Sequence, residues 1–245
     1  MFEKYSEVYD LLYSDKNTKL EVEYLNNVLG SLNLINADVL EYGSGTGRHA
    51  VELTKYGHNI YGVELSEEMV KRAHSAPGFE CEVGDILQLD LGKKFDCVIS
   101  MFHVASYQNT NDQILKFFSS AARHLNVGGK LIFDFWYSPA VIYNRPEVRC
   151  KFVENDTYAV WRIAEPEEDG LRNIINVKYT IFVKNKKTDN IKIFTELHPM
   201  RHFSIPELEM LSNICGFKLQ NSAEYMTDEQ PSRDSWGVIS VFEKV

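Results

Sequence analysis

The 245-residue sequence has no apolar run approaching the ~20 residues a membrane-spanning helix needs. Met1 leads directly into FEKYSEVYD, without the basic and apolar segments of a secretion signal, so a cytoplasmic, soluble protein is expected. Basic residues are in deficit: 26 Lys and Arg stand against 35 Asp and Glu, a net charge of −9 that no basic stripe offsets. Such a surface repels a polyphosphate backbone, which argues against a nucleic-acid partner. Cysteine is sparse and scattered. Cys81, Cys97, Cys150 and Cys215 form no C-x-x-C pair and three lie in apolar segments, so buried, reduced thiols are expected and no zinc or redox centre. There is no internal repeat and no low-complexity segment. The dinucleotide fingerprint G-x-G-x-x-G is missing too, which argues against NAD binding.

What stands in its place is VLEYGSGTGRH at 39–49. A short apolar run ends in Glu41, glycines follow at 43, 45 and 47, and Arg48 and His49 open a helical pattern. Glycines at this spacing let the chain turn sharply off a strand and bring backbone amides against a ligand. A second apolar strand, IYGVE, ends at Glu64, 21 residues beyond Gly43, where a carboxylate at a strand tip can accept both hydroxyls of a ribose. Ser66 caps a helix in S-E-E-M, and CEVGD ends a third strand at Asp85.

E-x-G-x-G-x-G, the ribose acid and a third-strand acid, in this order, resemble the class I S-adenosylmethionine (SAM) methyltransferases. The resemblance implies SAM as cofactor, with its amino-acid end on the glycine loop and Met69 and Asp85 at the adenine. It assigns cofactor contacts to Glu41, Gly43, Ser44, Gly45, Arg48, Glu64, Leu65, Met69, Asp85, Ile86 and Met101. The implied fold is α/β: a Rossmann-like seven-stranded sheet with helices on both faces. The pattern agrees, with strands expected near 38–42, 58–64, 79–83, 95–101 and 130–135, and helices between them.

Three extended runs rich in β-branched and aromatic residues follow, KFVENDTYAVWRIAEP, NIINVKYTIFVKN and NIKIFTELHPMRHF, separated by polar turns at EPEEDG and NKKTDN. They read as an antiparallel sheet inserted into the core. A helix capped by Ser204, with Pro206 in its first turn, leads back to a terminal hairpin, FKLQNSAEY and WGVISVFEKV. The expected division is an N-terminal helical cap at 1–30, a SAM-binding core at 31–140 and 203–245, and an inserted β subdomain at 141–202. The exposed edges of that insertion are compatible with a homodimer.

A β insertion at this place is similar to the N,N-dimethyltransferases of nucleotide-linked amino sugars. Y-D-x-x-Y at 9–13, G-x-E-L-S-E-x-M at 62–69, S-M-F and S-Y at 100–107, H-L-N-x-G-G at 124–129 and an aromatic-aromatic-x-P loop at 136–139 carry the resemblance. It implies N-methylation of a small polar acceptor. O-methylation of a sugar or other hydroxyl compound is the alternative, and a non-catalytic SAM-binding protein a further one. In this family the N-terminal segment folds over the SAM pocket, so the stripe Tyr5, Tyr9, Tyr13 is expected there, with Tyr13 facing the acceptor. No N-P-P-Y follows the fourth strand, so the signature of nucleic-acid base methylation is absent. His103 and Tyr107 stand there instead. A histidine can accept a proton from a bound nucleophile, which makes His103, with Tyr13, the candidate catalytic group; a hydrogen-bonded wall residue is the other reading of His103. Tyr107, Trp136, Tyr137, His198, Arg201 and Trp236 are the remaining candidate acceptor contacts. His198 and His202, four apart on an extended run, lie about 13 Å apart along a strand, too far to share a metal ion.

Overall fold

The computed structural model describes residues 6–245, so Tyr5 lies outside the described residues. Helices α1 (Ser6–Leu12) and α2 (Thr18–Ser31) precede strand β1 (Asp38–Tyr42). Asn17 caps α2, its side chain accepting the amide of Leu20 at 3.2 Å. Four strands follow, separated by helices or turns: β2 (Asn59–Glu64), β3 (Phe79–Val83), β4 (Phe95–Ser100) and β5 (Leu125–Tyr137). Between them lie α3 (Arg48–Thr54), α4 (Glu67–Lys71) and α5 (Asn111–His124). The first four are parallel to their neighbours in the order β3-β2-β1-β4, and β4 pairs in parallel with β5. The hairpin of β10 (Phe217–Glu224) and β11 (Gly237–Lys244) lies antiparallel on the other side of β5. This is the seven-stranded arrangement that the resemblance implies, with its five parallel-region strands where the alternation of periods placed them.

The strands are apolar because both faces are covered. On one face Phe117 and Phe118 of α5 meet Phe133 and Phe242, with ring centroids 5.2–6.0 Å apart and mostly edge to face. Fully burying such a side chain contributes ~1.5–3 kcal/mol. On the other, Val22, Leu25 and Leu29 of α2 pack on Val39, Ile60 and Ile99. Among the described residues no helix is long and apolar enough to cross a membrane.

The insertion departs from expectation in detail. Four strands, not three, make it up: β6 (Arg149–Glu154), β7 (Tyr158–Asp169), β8 (Ile174–Asn185) and β9 (Ile191–Phe203). The run beginning at Lys151 is broken at 155–157, where the Asn155 side chain accepts the amides of Thr157 and Tyr158 and folds the chain back. The turn expected at EPEEDG comes later. Pro166 to Asp169 stay paired with β8, and the reversal uses Asn173 at φ 55°. Helix α6 (Ser138–Tyr143) joins β5 to β6, and α7 (Ile205–Ile214) follows β9, opened by a capping box between Ser204 and Glu207.

Strand β5 starts five residues earlier than expected and outruns β4, whose last partner is Ser100 against Phe133. Beyond that point Trp136 and Tyr137 take up β9 in parallel, opposite His202 and Phe203, while Trp136 still pairs with Gly237 on its other edge. The inserted sheet is thereby hydrogen-bonded to the core at the carboxyl ends of the parallel strands, where ligands collect in such sheets. The cysteines are all free, but only Cys97 is buried and Cys150 is exposed. A surface place on the edge strand β6, invisible in composition, corrects the expectation of buried thiols.

Candidate active site

The glycine loop leaves β1 at Tyr42 and enters α3 at Arg48, with Gly43, Gly45 and Gly47 all at positive φ. The amides of Gly43 and Ser44 point to the carbonyl of Val63 at 2.8 and 3.3 Å, which ties the loop to β2. Glu64, at the tip of β2, accepts the Gly45 amide at 3.1 Å and the Ser66 amide at 2.8 Å. Burial raises the Glu64 carboxyl, and the bonds from these amides oppose the rise. Met69 is buried beneath the loop, its sulfur 4.0 Å from where a Cβ on Gly45 would stand.

Two polar atoms of this cradle have no partner among the described residues, Glu41 Oε2 and Ser44 Oγ, both buried. Buried polar groups are ordinarily hydrogen-bonded, so two orphans beside a glycine loop mark a place for a polar ligand. Burial first, and the nearby Glu64 charge second, push the Glu41 carboxyl up to about 8. A carboxyl raised on folding contributes stability at low pH that is lost as the pH climbs through its folded value. Without ligand, stability against urea is therefore expected to fall by ~2–4 kcal/mol between about pH 5 and pH 8 relative to Glu41→Gln. Parallel pH dependences in the two proteins would reject that origin.

The remaining cofactor candidates arrange less uniformly around the loop. Asp85 turns its carboxylate to the amide of Leu87 and the side chain of Gln88, at 2.9 and 2.8 Å. Ile86 packs against the core, Met101 is buried at the end of β4, and Leu65 is 70 % exposed. Arg48 donates to the carbonyl of Tyr13 at 2.9 Å, and Thr46 to Asp10 at 3.0 Å. Those bonds seat the end of α1 and the residues after it directly on the glycine loop. Tyr9 and Tyr13 stand 4.8 Å apart, Tyr13 meets the Phe102 ring edge-on at 5.1 Å, and its hydroxyl accepts from Arg162 of β7 at 3.0 Å.

After β4 the chain bends through Phe102 and His103, two consecutive non-glycine residues at φ 64° and 62°. Each left-handed residue costs about 1–2 kcal/mol, so the bend needs outside support. Asp134 of β5 supplies it. One carboxylate oxygen accepts the His103 amide at 2.9 Å, and the other lies 2.8 Å from His103 Nδ1. Asp134 is only 1 % exposed. Burial alone would raise its carboxyl, but the His103 ring and amide, with Lys16 farther off, outweigh burial and hold it below the usual carboxylate range. No sequence motif singles out this residue. Its signal was a single acid inside LIFDFWY, since a charge on a buried strand needs a partner.

A cluster of aromatic rings continues from there. The His103 ring lies 6.3 Å from Trp136, which meets Trp236 edge-on at 5.8 Å. Tyr137 donates its amide to the carbonyl of Trp236 at 3.0 Å. Tyr107 OH lies 2.8 Å from His198 Nδ1, and Glu196 lies 3.2 Å from Nε2 of the same ring. Burial, with the neighbouring tyrosines, holds the Tyr107 hydroxyl well above its ordinary range. Arg201 does not share this place. Three residues from His198 on β9, it faces the other way, donating to Asn111 at 2.8 Å and to Glu207 at 2.6 Å. Of the candidate acceptor contacts, His198 and Arg201 thus face opposite sides of β9: strand alternation separates the two, and Arg201 secures the start of α7. His202 contacts Ser138 at 2.8 Å.

Glycine loop, Glu64, α1 and a polar β4 tip thus converge at the carboxyl ends of the parallel strands. Residues 39–129 match the methyltransferase domain family. That segment is a methyltransferase domain. A dTDP-3-amino-3,4,6-trideoxy-alpha-D-glucopyranose N,N-dimethyltransferase of Streptomyces venezuelae is 26 % identical to it over 219 residues, 88 % of this chain and 91 % of that one. A dTDP-4-amino-2,3,4,6-tetradeoxy-D-glucose N,N-dimethyltransferase of Saccharopolyspora spinosa is 25 % identical, over 77 % of this chain and 72 % of that one. In fold, the chain superposes on a sugar N-methyltransferase from a Streptoalloteichus species with a TM-score of 0.81, at 22 % identity over 97 % and 93 % of the two chains. The orphaned Glu41 and Ser44 oxygens and the Glu64 carboxylate fit SAM as cofactor of this methyltransferase. Its sulfonium supplies the methyl group.

Proposed function

We propose that this methyltransferase transfers a methyl group to the amino nitrogen of a nucleotide-linked amino sugar. The observation that carries the reading is the β4 tip: His103, beside Trp136 and Trp236, stands on the residues that join the glycine loop to the inserted sheet. Val104, next in the chain, is packed so closely on Gly43 that a Cβ there would come within 2.6 Å of its Cγ2. That contact places a nucleophile bound beside these rings next to a cofactor held by that loop. The flat aromatic walls suit the apolar faces of a deoxysugar, and the two relatives act on amino deoxysugars by name.

In this reading Glu41, Gly43, Ser44, Gly45, Arg48, Glu64 and Met69 hold the cofactor. Tyr107, Trp136, Trp236 and His198 line the acceptor recess, Tyr13 covers it, and His103 takes up the proton the acceptor sheds. Residues 141–202 form the acceptor-facing subdomain on a core of 31–140 and 203–245, with 1–30 as its cap. Holding the nucleophile in line with the methyl is the main task, and alignment of that kind supplies up to ~7–11 kcal/mol.

The test is mass spectrometry of the protein incubated with SAM and each of the two dTDP-linked amino deoxysugars named above, beside their 3- and 4-hydroxy counterparts. One or two methyl increments on an amino sugar are the expected result. Increments confined to hydroxy sugars would move the enzyme to O-methylation, and none on any sugar would remove nucleotide sugars as its acceptors.

A further inference from the structure

We infer that Asp134 is a positioning residue that fixes His103 as a proton acceptor through Nε2, an inference that rests on the amine-methylating reading above. Nδ1 of His103 and Oδ2 of Asp134 are 2.8 Å apart, and neither atom has a hydrogen-bond partner elsewhere among the described residues. A carboxylate oxygen that close to a nitrogen lone pair is repelled, so the ring proton sits on Nδ1, between them. Nε2 is then left with the lone pair.

The same carboxylate also sets where that lone pair stands. Oδ1 accepts the His103 amide at 2.9 Å, which holds the left-handed backbone from which the ring projects. Phe102 lies against the ring at 6.0 Å and 22°, and Trp136 meets it at 68°. A Cβ at position 237 would come to 3.7 Å from Cε1, and glycine there keeps that edge of the ring clear. No described residue bonds Nε2, and the side chain is 26 % exposed. One buried group thus controls backbone, ring angle and tautomer together.

An amino sugar arrives largely as its ammonium ion, which has no lone pair with which to attack. Its proton passes to Nε2, and the imidazolium so formed faces the Asp134 carboxylate. The freed nitrogen pair forms the N–C bond while the C–S pair stays on sulfur. His103 then returns its proton to water. After one transfer the nitrogen is a secondary ammonium with the same need, so one histidine serves two successive methylations.

Three readouts test the inference on the full-length protein. Long-range 1H–15N correlation of the S-adenosylhomocysteine complex is expected to show His103 with a bare Nε2. In Asp134→Asn, whose carboxamide can donate to Nδ1, the bare nitrogen is expected to become Nδ1. With the dTDP-3-amino sugar and SAM, Asp134→Asn should lose ~10²-fold in kcat near neutral pH with KM little changed, as should His103→Ala, and the double variant should be no worse. The loss should shrink toward about pH 10, where the amine sheds its proton unaided. Calorimetry with S-adenosylhomocysteine should be unchanged in Asp134→Asn. A bare Nδ1 in the parent protein, an unaltered kcat, a deficit equal at every pH, or lost cofactor binding would each overturn the inference. Should the parent methylate no amine, the proposed function fails, while the tautomer still decides what Asp134 does to His103.

Discussion

Glu64→Ala is expected to weaken S-adenosylhomocysteine binding by two to three orders of magnitude, read by titration calorimetry. The carboxylate is held at the tip of β2 by the amides of Gly45 and Ser66, so its orientation is set before any ligand arrives. Two ribose hydroxyls donating to it contribute about 1.5–3 kcal/mol each, and every 1.4 kcal/mol is tenfold in affinity. Alanine removes both and also releases the Gly45 amide that the carboxylate restrains. Glu64→Gln keeps the shape and one acceptor oxygen, so its loss should be smaller. Affinity within about threefold of the parent in the alanine variant would mean that the ribose lies elsewhere.

The second large effect is on stability. Gly47→Ala should cost about 2–5 kcal/mol of unfolding free energy, the sum of a left-handed backbone and an overfilled contact. Gly47 sits at φ 74°, and a Cβ on it would stand 2.4 Å from Cε1 of Phe79. That ring comes from β3 and lies partly buried against the α2 side of the core, so its retreat disturbs other contacts. Gly45→Ala is the internal comparison. Its φ is 56°, but the nearest atom to its Cβ is the Met69 sulfur at 4.0 Å, leaving about 1–2 kcal/mol from the backbone alone. Urea denaturation of both variants reads the difference. Equal losses would show that β3 yields to the added methyl without cost.

The parallel half of the fold was legible because its signals are local. Alternating apolar runs, caps at Ser66 and Ser204, and glycines and acids at fixed offsets name strands, helices and cofactor loop without reference to anything distant. The insertion was harder to read. A turn made by one asparagine side chain hid inside what read as a single run, and the Pro166 segment stayed in the strand despite its polar sequence. Around the β4 tip His103, Tyr107 and Trp136 could be named from the sequence, because they stand at strand ends. Asp134 and the detachment of Arg201 could not. Each depends on which side chain 31 or six residues away happens to face it, and periodicity carries no such information.

Strand β5 has one further consequence. Asp134 stands two residues before Trp136, where β5 is hydrogen-bonded to β11 on one edge and β9 on the other. The segment that carries the inserted sheet and the segment that carries Asp134 are therefore one continuous strand, without a hinge at their join. A displacement of Trp136 has two residues of paired strand between it and the carboxylate that steadies His103. Under the proposed function, seating of the acceptor against Trp136 and the aim of His103 would be coupled through that strand.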